Sequence, residues 1–149
     1  MKILIPQAPK RALNILNENG YESYVVGGCV RDSLLGDSPK DWDITTNALP
    51  EETEKCFIGY KIIETGLKHG TITVMIDKEP LEITTYRIDG EYLDNRRPES
   101  VEFTSDIKED LSRRDFTVNA MAYGLNDNFI DYFQGQEDLN RKIIRCRCV

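Results

Sequence analysis

Long apolar runs are missing from this sequence: nothing in it approaches the roughly 18 consecutive apolar residues a membrane-spanning helix needs. The opening residues, MKILIPQAPKR, lack both the apolar stretch and the cleavage signal of a secretory leader, so the chain reads as cytoplasmic. The four cysteines, Cys29, Cys56, Cys146 and Cys148, are not spaced as paired CxxC motifs, which points to free thiols rather than disulfides or zinc. Cys146 and Cys148 alone do not complete a tetrahedral metal site. Excess positive charge is also missing. Nineteen Lys and Arg against 26 Asp and Glu give a formal charge of −7, which excludes a protein that coats nucleic acid by bulk electrostatics. Any RNA binding must be local, at Arg96-Arg97, Arg113-Arg114 or the stretch 141–147, or be supplied elsewhere; each cluster taken alone also fits a solvated surface.

What is present suits one domain. A chain of 149 residues, 40% hydrophobic and 30% charged, can bury about two-thirds of the surface its unfolded form exposes. Apolar residues at helical spacing predict a helix over 7–19, stopped by Asn19-Gly20. Residues 24–26 read as a buried strand running into Gly27-Gly28, and 30–35 as a helix ending at Gly36. A second strand is expected over 41–45, then a helix from Pro50 with Glu51 and Glu52 in its first turn, where the helix dipole favours acids. The β-branched segments 71–76 and 81–86 flank Asp77-Lys78-Glu79-Pro80, a hairpin signal. Residues 89–100 are polar, with Gly and Pro, and predict a mobile loop. Asp106-Ile107-Lys108-Glu109 reads as a capping box opening a helix with Arg113 and Arg114 near its end. Asn126-Asp127-Asn128 reads as a turn between short strands.

Asp41-Trp42-Asp43 is the most informative triplet. In a strand, residues i and i+2 face one side with Cα atoms about 6.5 to 7 Å apart, so two carboxylates would share that side while Trp42 points into the core. Such a pair suits two divalent ions about 3.5 to 4 Å apart, which activate an attacking oxygen and neutralise leaving pyrophosphate. Magnesium fits, because it prefers oxygen donors and is commonly held by one or two carboxylates plus substrate phosphates. A solvated strand end fits an isolated DxD equally, so the neighbours decide its weight. Gly27 and Gly28 would let backbone N–H groups approach a triphosphate, the following helix adds its positive end, and Arg31 one turn on can clamp phosphate oxygens. A plain structural turn is the alternative; the spacing is not the GxGxxG of dinucleotide folds. Glu82, in phase with Thr84, supplies a third acid if its strand lies beside the aspartates; otherwise it is an exposed carboxylate. Arg114 beside Asp115 pairs a phosphate ligand with an acceptor for a ribose hydroxyl, or else these are ordinary helix-end charges. His69, the single histidine, is a conceivable general base, though a hydrogen-bonded structural role is commoner.

Together these residues resemble the class II tRNA nucleotidyltransferases, the family of CCA-adding enzymes and bacterial poly(A) polymerases. The similar segments occur in the family's order over nearly the whole chain: GGCVRD at 27–32, DWDITTNALP at 41–50, GLKHGTITV at 66–74 and RRDFTVNAMAY at 113–123. DYFQG at 131–135 is similar to the hinge motif DxxxG, though relatives often carry a proline and a second glycine there. The resemblance implies an α+β fold of the DNA polymerase beta-like nucleotidyltransferase type, a small mixed β-sheet flanked by helices. It implies that Asp41 and Asp43 bind catalytic Mg²⁺, with Glu82 in LEITTYR as the third acid. Gly27, Gly28 and Arg31 would hold the incoming triphosphate, and Arg114, Asp115 and Asn119 would contact the nucleotide. The implied reaction moves CMP or AMP from CTP or ATP to the 3′-hydroxyl of tRNA; an A-adding enzyme, a poly(A) polymerase and a nucleotide- or RNA-binding module without turnover are the alternatives. Residues 1–149 would be the head. Relatives continue into a neck, whose acidic and arginine motif selects CTP and ATP, and then into body and tail domains that hold tRNA; those parts are not in this sequence. The polar loop at 89–100 is similar to the flexible loop of CCA-adding and A-adding enzymes.

Overall fold

The helical period near the N-terminus forms α1 (Gln7–Glu18), which buries Ala8, Ala12, Leu13 and Leu16 along one stripe. Asn19 closes it, its side-chain amide donating to the Ile15 carbonyl at 2.7 Å, and Gly20 follows at φ 89°, a turn open to glycine at little steric cost. The computed structural model describes residues 2–89 and 101–146. Most of the loop expected over 89–100, with Arg96 and Arg97, and the terminal Arg147 and Cys148 lie outside these described residues.

After α1 come β1 (Ser23–Val26), α2 (Gly28–Leu34), β2 (Ile44–Thr46), α3 (Pro50–Cys56), β3 (Lys61–Gly66), β4 (Thr71–Ile76) and β5 (Glu79–Thr85). The short pair β6 (Arg87–Asp89) and β7 (Val101–Phe103) stands apart from the main sheet, and is followed by α4 (Ile107–Ser112), β8 (Ala122–Gly124), β9 (Asn128–Ile130) and α5 (Gly135–Asn140). The main sheet has seven strands in the order β3-β4-β5-β2-β1-β8-β9, larger than the small sheet expected, but mixed and flanked by helices as expected. The pair β2–β5 is parallel, matching Ile44 with Ile83, Thr45 with Thr84 and Thr46 with Thr85. The other strand pairs are antiparallel.

Alternation along β4 sends Ile72, Val74 and Ile76 into a core shared with α1, Phe57, Leu81 and Ile83. A second apolar cluster, built from Val26, Tyr86, Ile107, Leu111, Ala120 and Ala122, seats α4. Among the described residues no helix is long and apolar enough to cross a membrane.

Several local expectations are corrected. The turn expected at 77–80 is only Asp77-Lys78, both left-handed at φ 53° and 66°, the geometry of a two-residue hairpin. Glu79 and Pro80 already belong to β5. Ile76↔Glu79 closes the turn, so in Met75↔Pro80 the proline's missing N–H faces away from β4 and no ladder bond is lost. The strand expected over 41–45 starts at Ile44, leaving Asp41-Trp42-Asp43 as its approach. The helix expected over 30–35 is already under way at Gly28. Helix α4 ends at Ser112, so Arg113 caps it and Arg114 lies beyond. Asp106 does cap α4, accepting from the Lys108 N–H at 2.9 Å, but Glu109 takes the Thr104 hydroxyl instead of the Asp106 N–H, which donates to Thr104; only half the capping box forms. Strand β3 had no counterpart in the sequence reading.

Candidate nucleotidyl transfer site

Although Asp41-Trp42-Asp43 precedes β2, its alternation survives: Trp42 is 8% exposed, while both aspartates are open to solvent. The Val26 N–H donates to the Asp43 carbonyl at 3.0 Å, carrying the β1–β2 ladder one residue further and tying Asp43 to the bend that begins at Gly27. One step before the first β2–β5 pair, Ile44↔Ile83, the parallel register sets Asp43 beside Glu82. The result is a cavity of about 340 Å³ lined by Asp41, Trp42, Asp43, Thr73, Pro80 and Glu82. Trp42 is thus buried in the core and also counts among the residues that line the cleft. The Asp43 carboxyl is pushed above its ordinary range by partial desolvation first and then by the Glu82 and Asp41 charges, with Arg114 opposing. Among the described residues no three His, Cys, Asp or Glu groups converge tightly enough to form a ready-made metal cage.

Two arginines face the glycine bend. Gly27 sits at φ 83°, ψ −132°, a conformation essentially reserved for glycine, and a Cβ there would lie 3.3 Å from Arg114 Nη1. A Cβ on Gly28 would lie 3.3 Å from Arg31 Nη2. Arg31 is itself held on two sides, with Nε donating to Asp32 at 2.9 Å and Nη1 to the Asn119 side-chain oxygen at 2.7 Å. A second cavity of about 360 Å³ opens on the far side of Arg114, lined by Arg113, Arg114, Asp115, Phe116 and Asn119; Gly27, Gly28 and Arg31 line neither of these two cavities. Burial lowers the Arg114 pKa, and the nearby Asp110 charge is the main opposing influence. Arg114 Nε is buried without a hydrogen-bond partner among the described residues. His69 lines neither cleft: it ends a 3₁₀ turn (Leu67–His69), where its carbonyl accepts from Arg87 at 2.6 Å.

The supporting layer went unread in the sequence. Buried Asp110 accepts from the Arg87 N–H at 3.0 Å and the Thr45 hydroxyl at 3.1 Å, and lies 4.0 Å from Arg114 Nη2. Buried Asp138 accepts from the Thr117 hydroxyl at 2.6 Å and from Arg145 at 3.1 Å. The only signal for the first is spacing, since Asp110 and Arg114 are four residues apart, as in a helical ion pair. The motif at 131–135 turns out to open α5: the Asp131 carboxylate accepts from the N–H groups of Gly135 and Gln136. Gly135 lies so close to the Thr117 carbonyl that a Cβ would clash with it, and this contact seats the 3₁₀ turn (Thr117–Asn119) that carries Asn119.

The Poly A polymerase head domain profile matches residues 23–145, a span that takes in both clefts. The chain belongs to the Poly A polymerase head domain family. A CCA-adding enzyme from Lactobacillus gasseri is 49% identical to this head domain, over 97% of the chain and 37% of the relative. The crystal structure of a Bacillus stearothermophilus CCA-adding enzyme in complex with CTP superposes with a TM-score of 0.86 at 40% identity, covering 97% of this chain and 34% of that one. A tRNA nucleotidyltransferase complexed with a primer tRNA and an incoming ATP analog gives a TM-score of 0.67 at 35% identity, over 90% of this chain and 38% of that one. The head domain therefore spans little more than a third of the length of these relatives.

Beneath the head domain's glycine bend, the Cys29 thiol is buried beside Asp43 and its pKa is pushed up to about 12, chiefly by desolvation. A thiol held protonated is a poor nucleophile. Cys29 is expected to resist iodoacetamide at pH 8 in the folded protein while exposed Cys146 is alkylated, as peptide mass mapping would read. Rapid labelling of Cys29 in the native state would contradict this.

Proposed function

We propose that residues 1–149 are the catalytic head of a template-independent nucleotidyltransferase that moves CMP and AMP from CTP and ATP to the 3′-hydroxyl of tRNA, completing its CCA end in the cytoplasm. The observation that carries the reading is the convergence of Asp41, Asp43 and Glu82 on one cleft immediately beside the Gly27 bend and Arg114.

The acids fit a divalent cation. Asp43 is crowded by two other carboxylates with Arg114 as the counter-charge, a repulsion that a bound cation relieves. A pair of aspartates without a full protein cage suits Mg²⁺, which takes its remaining oxygen donors from phosphates and water. Asp41 and Asp43 would hold it, with Glu82 adjoining. When bound, the metal supplies charge neutralisation and activation of the hydroxyl for in-line displacement at the α-phosphate, with pyrophosphate leaving.

The chain's own groups do the rest. At Gly27 and Gly28 the absence of a Cβ leaves the backbone open to phosphate oxygens. Arg31 and Arg114 border that bend as fixed positive charges, with Nη2 of Arg31 and Nη1 of Arg114 nearest the two glycines. Asp115 can accept from a ribose hydroxyl, and Asn119 holds the Arg31 guanidinium in place. Pre-set charges of this kind stabilise a transition state without reorganising during the reaction. The resemblance assigns base selection and the grip on tRNA to neck, body and tail domains, and this chain spans little more than a third of the relatives' length.

The longest natural form of the protein, given tRNA lacking its last three nucleotides and Mg²⁺, is expected to add two residues with CTP alone and the full three once ATP is also present. Addition of long A tracts with ATP alone would replace this reading with a poly(A) polymerase, and no incorporation under any condition would remove it.

A further inference from the structure

Phe116 is a large apolar side chain left 39% exposed, and it belongs to neither apolar cluster. An exposed aromatic is unremarkable by itself. This one borders the arginine cleft, whose other lining residues, Arg113, Arg114, Asp115 and Asn119, are all polar. Its backbone is pinned: Phe116 bridges to Cys146, its carbonyl accepts from the Asn119 N–H at 3.1 Å, and the next N–H, of Thr117, donates to the Arg145 carbonyl at 3.2 Å. The ring is therefore displayed from a fixed anchor.

We propose that Phe116 is a stacking face for the base of the incoming nucleoside triphosphate. The inference rests on the function proposed above and deepens it. With the triphosphate against Arg31 and Arg114 and the ribose near Asp115, the nucleoside end of the ligand meets the Phe116 ring, the one apolar side chain among the described residues that line this cleft. A flat ring stacks on purines and pyrimidines alike, because every base has a π-face, so it adds affinity without choosing between CTP and ATP. That property suits a site that takes both in succession.

The test is equilibrium binding of CTP, ATP and inorganic tripolyphosphate to the longest natural form of the protein with Mg²⁺, for the natural sequence, Phe116→Ala and Phe116→Tyr, with thermal melts to verify folding. Phe116→Ala is expected to weaken CTP and ATP to a similar extent, by about tenfold or more, while tripolyphosphate binds unchanged. Phe116→Tyr, which keeps a flat ring, is expected to restore both nucleotides. Equal weakening of tripolyphosphate would mean that Phe116 only supports the phosphate site; unchanged nucleotide affinity would mean that the base never meets the ring. Either result overturns the inference and leaves the proposed function standing. If the unsubstituted protein in its longest natural form binds neither nucleotides nor tripolyphosphate, the proposed function fails and takes this inference with it.

Discussion

Asp43→Asn is expected to lower nucleotide transfer by about three orders of magnitude or more while leaving the fold intact. Asparagine matches aspartate in size but cannot bring a negative charge to the cleft it shares with Asp41 and Glu82. Phosphoryl chemistry of this type depends on positioning and charge neutralisation, so the charge is the part that matters. Stability should move the other way. The native surroundings disfavour the ionised Asp43, since its pKa is raised by desolvation and by the neighbouring acids. The folded state therefore binds that proton more tightly than the unfolded chain does, and this group's destabilising effect, full at neutral pH, is relieved as pH falls through the raised pKa. The neutral variant lacks that penalty. Because Asp43 is open to solvent the gain is small, below about 1 kcal/mol, or at most a few degrees in Tm. Incorporation assays together with thermal melts between pH 4 and 8 check both halves. Near-normal transfer by Asp43→Asn would sink the assignment of this acid.

Asp110→Ala should produce the largest loss of stability among the site residues. The carboxylate is buried, joins β2 to β6 through Thr45 and Arg87, and is the principal counter-charge to Arg114. Its removal orphans a buried hydroxyl and a backbone N–H, and leaves a largely desolvated guanidinium without its partner. Breaking a buried pair from one side costs about 3 to 5 kcal/mol, or roughly 10 °C in Tm for a domain of this size. Asp110→Asn, which keeps an acceptor, should lose less. Calorimetry on both variants measures the difference, and equal melting temperatures for the natural chain and Asp110→Ala would contradict the network described here. Nucleotide binding should weaken too, because Arg114 loses what holds it over Gly27.

The sequence was informative wherever chemistry is local. Helix α1 was legible to within a residue because its apolar stripe and Asn19-Gly20 stop are both strong signals. The shared exposure of Asp41 and Asp43 was legible because alternation about Trp42 holds even outside a regular strand. Errors arose where tertiary contacts override local preference. Pro80 looked like a turn residue, yet it fits a strand at a position where its missing N–H has no ladder partner. Arg114 looked helical, but its place is set by Asp110 and the glycine bend after α4 has ended. Asp110 and Asp138 were invisible as site residues, since they act through other side chains and carry no motif of their own. Whether Glu82 adjoined Asp43 depended on strand order, which no local pattern encodes; the parallel β2–β5 pair answers it.

That pair also constrains how the domain comes into being. The β4–β5 hairpin closes over a two-residue turn and can form while the chain is still being synthesised, whereas joining Ile44 to Ile83 spans 39 positions and must await everything between them. Contacts of such long sequence separation are slow, because the entropy of closing the chain is spent before any reward arrives. Asp43 and Glu82 therefore meet only when the β2–β5 pair closes, a step that also completes the core, because Ile44 and Ile83 belong to it. A nascent chain cut short before β5 would carry Asp41 and Asp43 but no third carboxylate beside them.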